Sequence, residues 1–153
     1  MSLDAHQKEV IRKALAETAR GCLGIPYKWG AEVTDMGKQP EYLDCSEKNE
    51  FVFRKNGLSC PDGCANQFAF FVPALLPKVG DIGFFIESTD THPDRKKGDA
   101  YHTGMIVDSF FVAEARALDL KCKFATGKVI LRPRINWEKF ENFGGWRSHP
   151  DLA

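Results

Sequence analysis

Residues 79–116 read VGDIGFFIESTDTHPDRKKGDAYHTGMIVDSFFVAEAR. Three short apolar runs stand out: IGFFI at 82–86, HTGMIV at 102–107 and FVAEA at 111–115. Each is rich in β-branched or aromatic residues and bounded by turn formers, the pattern of strands separated by loops. The polar stretch STDTHPDRKKGDAY at 88–101 contains Pro and Gly and reads as an exposed insertion between two strands. Downstream, KVILRPRI at 128–135 supplies a fourth strand.

Upstream the periodicity changes. Across residues 3–22, Val10, Ile11, Ala14, Leu15, Thr18 and Cys22 recur at helical spacing, with Ser2 or Asp4 as a cap and Gly21 and Gly24 as stops. A turn-rich loop, GIPYKWGAEVTDMGKQPEYL, covers 24–43. A second helix starts at Asp44 or Cys45 and stops at Gly57, and a third spans roughly 63–72, ending near Pro73. Helices first and strands afterwards predict an α+β fold rather than a doubly wound parallel sheet. No repeat, linker or low-complexity tract interrupts the chain, so residues 1–153 read as one domain.

Composition narrows the function. Apolar residues make up 43% of the chain, enough for a real core in a domain of 153 residues. The 21 basic and 21 acidic residues cancel, which argues against a general nucleic-acid binder and gives no electrostatic reason for membrane attachment. No run of 18 apolar residues exists to span a bilayer, and the N-terminus MSLDAHQKEVIRKALAETARG lacks the apolar core of a secretory signal. Synthesis in a reducing cytoplasm is therefore expected. The cysteines at 22, 45, 60, 64 and 122 then read as free thiols rather than a disulfide framework.

One of them is placed for chemistry. Asp44-Cys45-Ser46 lies where a loop meets a helix. The free N–H groups and the positive dipole end of a helix N-terminus favour thiolate, the nucleophilic form. Taken alone, the triplet fits a buried structural cysteine better. A base is needed, and of the four histidines His6 falls on the first helix, His92 in the polar insertion and His149 near the C-terminus. Only His102 opens an apolar strand, which can hold an imidazole rigidly. A third group should orient that imidazole. Glu114 is acidic within an apolar run, where a buried carboxylate needs a partner. A turn near Asp108-Ser109 that paired the two strands would bring Glu114 close to His102.

In order, GIPYKWG (24–30), DCS (44–46), VGDIGFF (79–85), HTGMIV (102–107) and AEA (113–115) resemble the NlpC/P60 cysteine peptidases. That family's pattern is PY-x-WG, then D-C-S-G, then P-G-D-hydrophobic-x-F-F, then H-hydrophobic-G-hydrophobic, with a polar residue about a dozen positions further on. The resemblance covers roughly residues 21–116. It implies a papain-like α+β fold, with N-terminal helices packed on a central antiparallel sheet. It also implies hydrolysis of amide bonds in bacterial cell-wall stem peptides, typically D-γ-glutamyl to a diamino acid, without a cofactor. By position, Cys45 becomes the nucleophile, His102 the general base and Glu114 the orienting residue, where many relatives carry His, Asn or Gln. Tyr27 matches a tyrosine whose hydroxyl could donate to an oxyanion. Asp44 and Ser46 match positions that help hold the free amine of a stem peptide.

Three departures mark the chain as divergent. Glu47 replaces the glycine after DCS, Lys48 and Asn49 replace an apolar pair, and Val79 replaces the proline of P-G-D. Two rival readings stay open: an N-acetylmuramoyl-L-alanine amidase or acyltransferase sharing the same residues, and a catalytically silent module, for example in a phage tail with tail proteins as partners. The polar helix start sustains the second. A cell-wall substrate and a chain without a signal are reconciled either by a phage or prophage origin, with release to the wall or carriage on a virion, or by recycling of imported muropeptides. Cys60-Pro-Asp-Gly-Cys64 invites a metal reading with Cys122 and His92, but it lacks a second matching pair, and no metal is expected. Trp137 and FGGWR at 143–147 read as an aromatic latch closing the C-terminal end.

Overall fold

The computed structural model describes residues 2–117 and 127–153. Helix α1 spans Ala5–Gly21 and opens with a capping box, in which Asp4 accepts from the Gln7 amide and the Gln7 side chain accepts from Asp4. Its buried face is Arg12, Leu15, Ala16 and Ala19, while Val10 is exposed. The apolar stripe is thus rotated from the one expected, because Arg12 turns inward. Its guanidinium donates to Asp81 at 2.7 Å, and Asp81 also accepts from Ser148 at 2.6 Å and from the Lys78 amide at 2.8 Å. This buried cluster ties α1 to the sheet, as a buried charge requires.

Helix α2 covers Cys45–Lys55 and α3 Cys64–Phe70. Six strands follow: β1 (Val72–Pro73), β2 (Ile82–Ile86), β3 (Ala100–Ile106), β4 (Phe111–Arg116), β5 (Lys128–Pro133) and, after helix α4 (Arg134–Lys139), β6 (Phe143–Ser148). They form one sheet in the order β1-β6-β2-β3-β4-β5, antiparallel throughout. The expected α+β architecture is observed. Three elements differ from the sequence reading. The fourth strand stops at Pro133, because residues 134–139 turn into α4. FGGWR lies within strand β6 rather than in a terminal latch. Val72–Pro73 extends beside it.

Alternation along the strands sorts the core into two layers. Ile82, Phe84, Met105, Ala113 and Val129 pack with the helices α1 and α2. Phe85, Ile106 and Val112 point the other way and pack with Trp137 of α4 and Trp146 of β6. Gly83 and Gly104 are register partners in the β2–β3 ladder. A Cβ on Gly83 would sit 2.6 Å from the Trp146 ring, and one on Gly104 2.8 Å from the Trp137 ring. The paired glycines therefore make the trough that seats both indoles. Among the described residues, no helix is long and apolar enough to cross a membrane.

Candidate active site

Cys45 is the first residue of α2, so its amide is one of the helix N–H groups without an intrahelical acceptor. Asp44 caps the helix: Oδ1 accepts from the Glu47 amide at 2.8 Å and from the Ser46 hydroxyl at 3.2 Å, and Oδ2 from the Gly30 amide at 3.1 Å. The Asp44-Cys45-Ser46 order thus builds the turn that presents the thiol. The preceding segment is fixed by bonds from the Leu43 amide to Pro26 (3.0 Å) and from the Tyr27 amide to Gly127 (2.8 Å). They bring the half-buried Tyr27 hydroxyl beside Cys45. Burial, then the negative charges at Cys45, Asp44 and Cys64, push the Tyr27 phenol up, so it stays protonated and able to donate.

The ladder between β3 and β4 ends at Met105 opposite Ala113. Beyond that point no β3–β4 register partners are described. The Cys45 sulfur accepts from the Thr103 amide and meets the His102 imidazole. The thiol is held well below its ordinary value. The hydrogen bond from Cys64 contributes most, burial opposes it, and His102 adds both a hydrogen bond and a charge. His102 responds reciprocally: burial works against its charged form, yet the Cys45 and Glu114 charges raise it to about 9. Both shifts favour the thiolate–imidazolium form of the pair.

His102 Nε2 lies 3.1 Å from Glu114 Oε1. That contact leaves Nδ1 as the ring nitrogen available to sulfur. Strand alternation explains it: His102 and Glu114 lie on the same face of β3 and β4 as Ile106 and Val112, which are register partners. Glu114 is fully buried. It also accepts from Arg132 Nε and Nη2, both at 2.8 Å, and from Trp137 Nε1 at 2.6 Å. Burial pushes this carboxyl up, but His102 and Arg132 overcome it and hold it at about 2. The His102 ring is stacked on Trp137, with centroids 5.5 Å apart, and lies 5.3 Å from the Phe85 ring.

The structure therefore brings Cys45, His102, Glu114, Tyr27, Asp44 and Ser46 into one neighbourhood. Sequence reasoning missed Arg132 and Trp137, which also donate to the Glu114 carboxylate. Nothing local marks them, since Arg132 depends on the β4–β5 register and Trp137 on a helix within a stretch read as strand and tail.

The divergent α2 start is absorbed into the fold. Glu47 accepts from the Val33 amide at 2.7 Å, anchoring the loop before the helix. Asn49 donates to Thr103 at 3.0 Å and to Gln67 at 3.2 Å, tying α2 to β3 and α3. Lys48 is fully buried, its Nζ without a hydrogen-bond partner among the described residues, and burial lowers it to about 8 against the pull of Cys22, Glu114 and Cys45. The Cys60 thiol turns to the Pro61 carbonyl, while Cys64 meets Cys45. Cys60 and Cys64 do not share a metal-ligating group among the described residues, and Cys122 lies outside them. His149, distant from the site, is fully buried with its Nε2 2.8 Å from the Ser59 carbonyl.

No protein-family profile and no curated protein sequence matches the chain. Solved structures do match. An NlpC/P60 family protein from Bacillus cereus superposes with a TM-score of 0.67 at 21% identity, over 90% of this chain and 40% of that one. The peptidoglycan hydrolase RipB of Mycobacterium tuberculosis gives 0.66 at 18% identity, over 95% of this chain and 67% of that one. The P60 domain of an antigen from M. avium subspecies paratuberculosis gives 0.63 at 16% identity, over 93% of this chain and 96% of that one. The chain spans less than half the length of the Bacillus protein. These likenesses show that the chain has the NlpC/P60 fold.

Proposed function

We propose that this chain, an NlpC/P60 fold with a thiolate–imidazolium pair, is a cysteine peptidase acting on amide bonds of bacterial cell-wall stem peptides. The observation that carries the reading is the chain of contacts from the Cys45 sulfur through His102 to the buried Glu114. In this account the Cys45 thiolate attacks the amide carbonyl. The Cys45 amide and the Tyr27 hydroxyl donate to the oxyanion that forms. His102 then gives its proton to the leaving amine as the C–N bond breaks, leaving a thioester on Cys45. Neutral His102 takes a proton from water, which attacks the thioester and frees the acid product. No cofactor enters any step.

Substrate orientation follows from charge. The Asp44 carboxylate beside Cys45 suits a cationic group, such as the free amine of a stem peptide. Ser46, bonded to Asp44, supports it. A cleft of about 380 Å³ is lined by Gly30, Val33 and Tyr42, and its Gly30 amide is the one that bonds Asp44. D-γ-glutamyl to diamino acid is the bond class in this reading. Mass spectrometry of digested peptidoglycan and free stem peptides tests it. Cleavage at that bond, abolished by Cys45→Ala, is expected. Release of stem peptide from muramic acid would favour the amidase alternative, acyl transfer to an added amine the transferase, and unchanged substrate the silent module.

A further inference from the structure

Cys45 has a second sulfur against it. The Cys64 Sγ, on the first residue of α3, lies 3.6 Å from Cys45 Sγ, although the two residues are 19 apart in sequence. The peptidase chemistry makes no use of a second thiol. Of the four described cysteines, Cys22 and Cys60 are 1% and 5% exposed, whereas Cys45 and Cys64 are both partly open to solvent. A disulfide needs the sulfurs at about 2.05 Å, a closure of roughly 1.5 Å from their present separation.

We propose that Cys45 and Cys64 form a redox modification site, oxidised by hydroperoxides to a reversible disulfide. The Cys45 thiolate attacks the terminal oxygen of the hydroperoxide. An S–O bond forms, the O–O bond breaks, and the departing alkoxide or hydroxide takes a proton from the His102 imidazolium. Cys45 is now a sulfenic acid. Cys64 sulfur attacks it, an S–S bond forms and the S–O bond breaks, and the departing hydroxide takes the Cys64 proton and leaves as water. Overall two thiols and one hydroperoxide give one disulfide, one alcohol or water, and one water. The cysteines lose the two electrons that the peroxide gains.

The electrostatics order these steps. Before oxidation the Cys64 thiol is held well above its ordinary value, first by its hydrogen bond to Cys45, then by burial and the Cys45 charge. It is therefore the donor of the pair, and Cys45 is oxidised first. Sulfenic acid formation removes the Cys45 charge, so the restraint on Cys64 falls only when its sulfur is needed. A neighbouring thiol that captures a sulfenic acid also stops its further, irreversible oxidation.

The site rests on Cys45 being the reactive thiol, not on the substrate proposed above, and the test reads mass rather than hydrolysis. Purified protein is treated with hydrogen peroxide, alkylated with iodoacetamide directly or after dithiothreitol reduction, and digested. The expected result is a peptide pair joined through Cys45 and Cys64, the loss of two hydrogens, and full recovery of Cys45 alkylation after reduction. Cys64→Ser should instead carry added oxygen on Cys45 that dithiothreitol does not remove. Mapping of the unaltered protein decides the matter even if the variant fails to fold. A bridge from Cys60 to Cys64, or Cys45 oxygen adducts accumulating without any bridge, would overturn the proposal. Bridge formation in a protein that cleaves no stem peptide would instead count against the peptidase reading alone.

Discussion

Glu114 accepts hydrogen bonds from His102 on one side and from Trp137 on the other, with no solvent exposure of its own. Every group around this carboxylate is a donor. Glu114→Gln would turn an amide NH2 toward the donors of Arg132, Trp137 or His102, so one contact becomes donor against donor. The variant should lose stability on the order of 3 kcal/mol, the scale for removing one partner of a buried ion pair. Turnover on a stem peptide should fall at least about tenfold, within the scale of general acid–base terms. Chemical denaturation and turnover of the same preparation check both. An unchanged stability would remove Glu114 from the network.

Gly104 sets the space in which that network sits. Gly104→Ala would place a Cβ 2.8 Å from both the Trp137 ring and the Val112 side chain. The indole must move, and with it the donor to Glu114 and the surface on which His102 stacks. Overpacking of this kind costs about 1–3 kcal/mol. A near-ultraviolet circular dichroism change should accompany the lower melting temperature and slower turnover. Wild-type values in all three would contradict the packing described.

The local part of the site was legible in the sequence. A helix-start cysteine with an aspartate cap, a histidine opening an apolar strand and one acid in the next strand are signals carried by a few adjacent residues. The groups that complete the site were not legible, because they arrive by tertiary contact. FGGWR reads as a closing latch and not as a strand, since glycine weakens strands in isolation. In the fold, Gly144 is needed there: a Cβ on it would meet Ile86 at 2.2 Å, and Gly145 sits at φ 96°. β6 forms because β2, far away in sequence, offers it an edge. Arg12 misled the reading of α1 for the same reason, its partner Asp81 lying on the other side of the chain.

Lys48 offers a test of burial against charge. Among the described residues its Nζ has no hydrogen-bond partner, and its lowering from 10.5 to about 8 corresponds to roughly 3 kcal/mol. The sign follows from linkage: the folded state holds this proton less tightly than the unfolded chain, so stability falls as pH drops from 10.5 through 8. Lys48→Met keeps the length and removes the charge. It should stabilise the protein at pH 7 and bring a smaller gain at pH 10. An equal gain at both values, or destabilisation, would show that the ammonium is compensated.

The peptidase reading requires a Cys45 thiolate, which Cys64 and then His102 favour. The most direct measurement is the rate of iodoacetamide alkylation at each cysteine, read by peptide mapping across pH, in the unaltered protein and in His102→Ala. Cys45 should label first, and already at neutral pH, because its thiol is held well below the ordinary range. In His102→Ala that labelling should slow at neutral pH and rise toward the alkaline range. Faster labelling of Cys60 or Cys64, or a Cys45 rate indifferent to the loss of His102, would contradict the account.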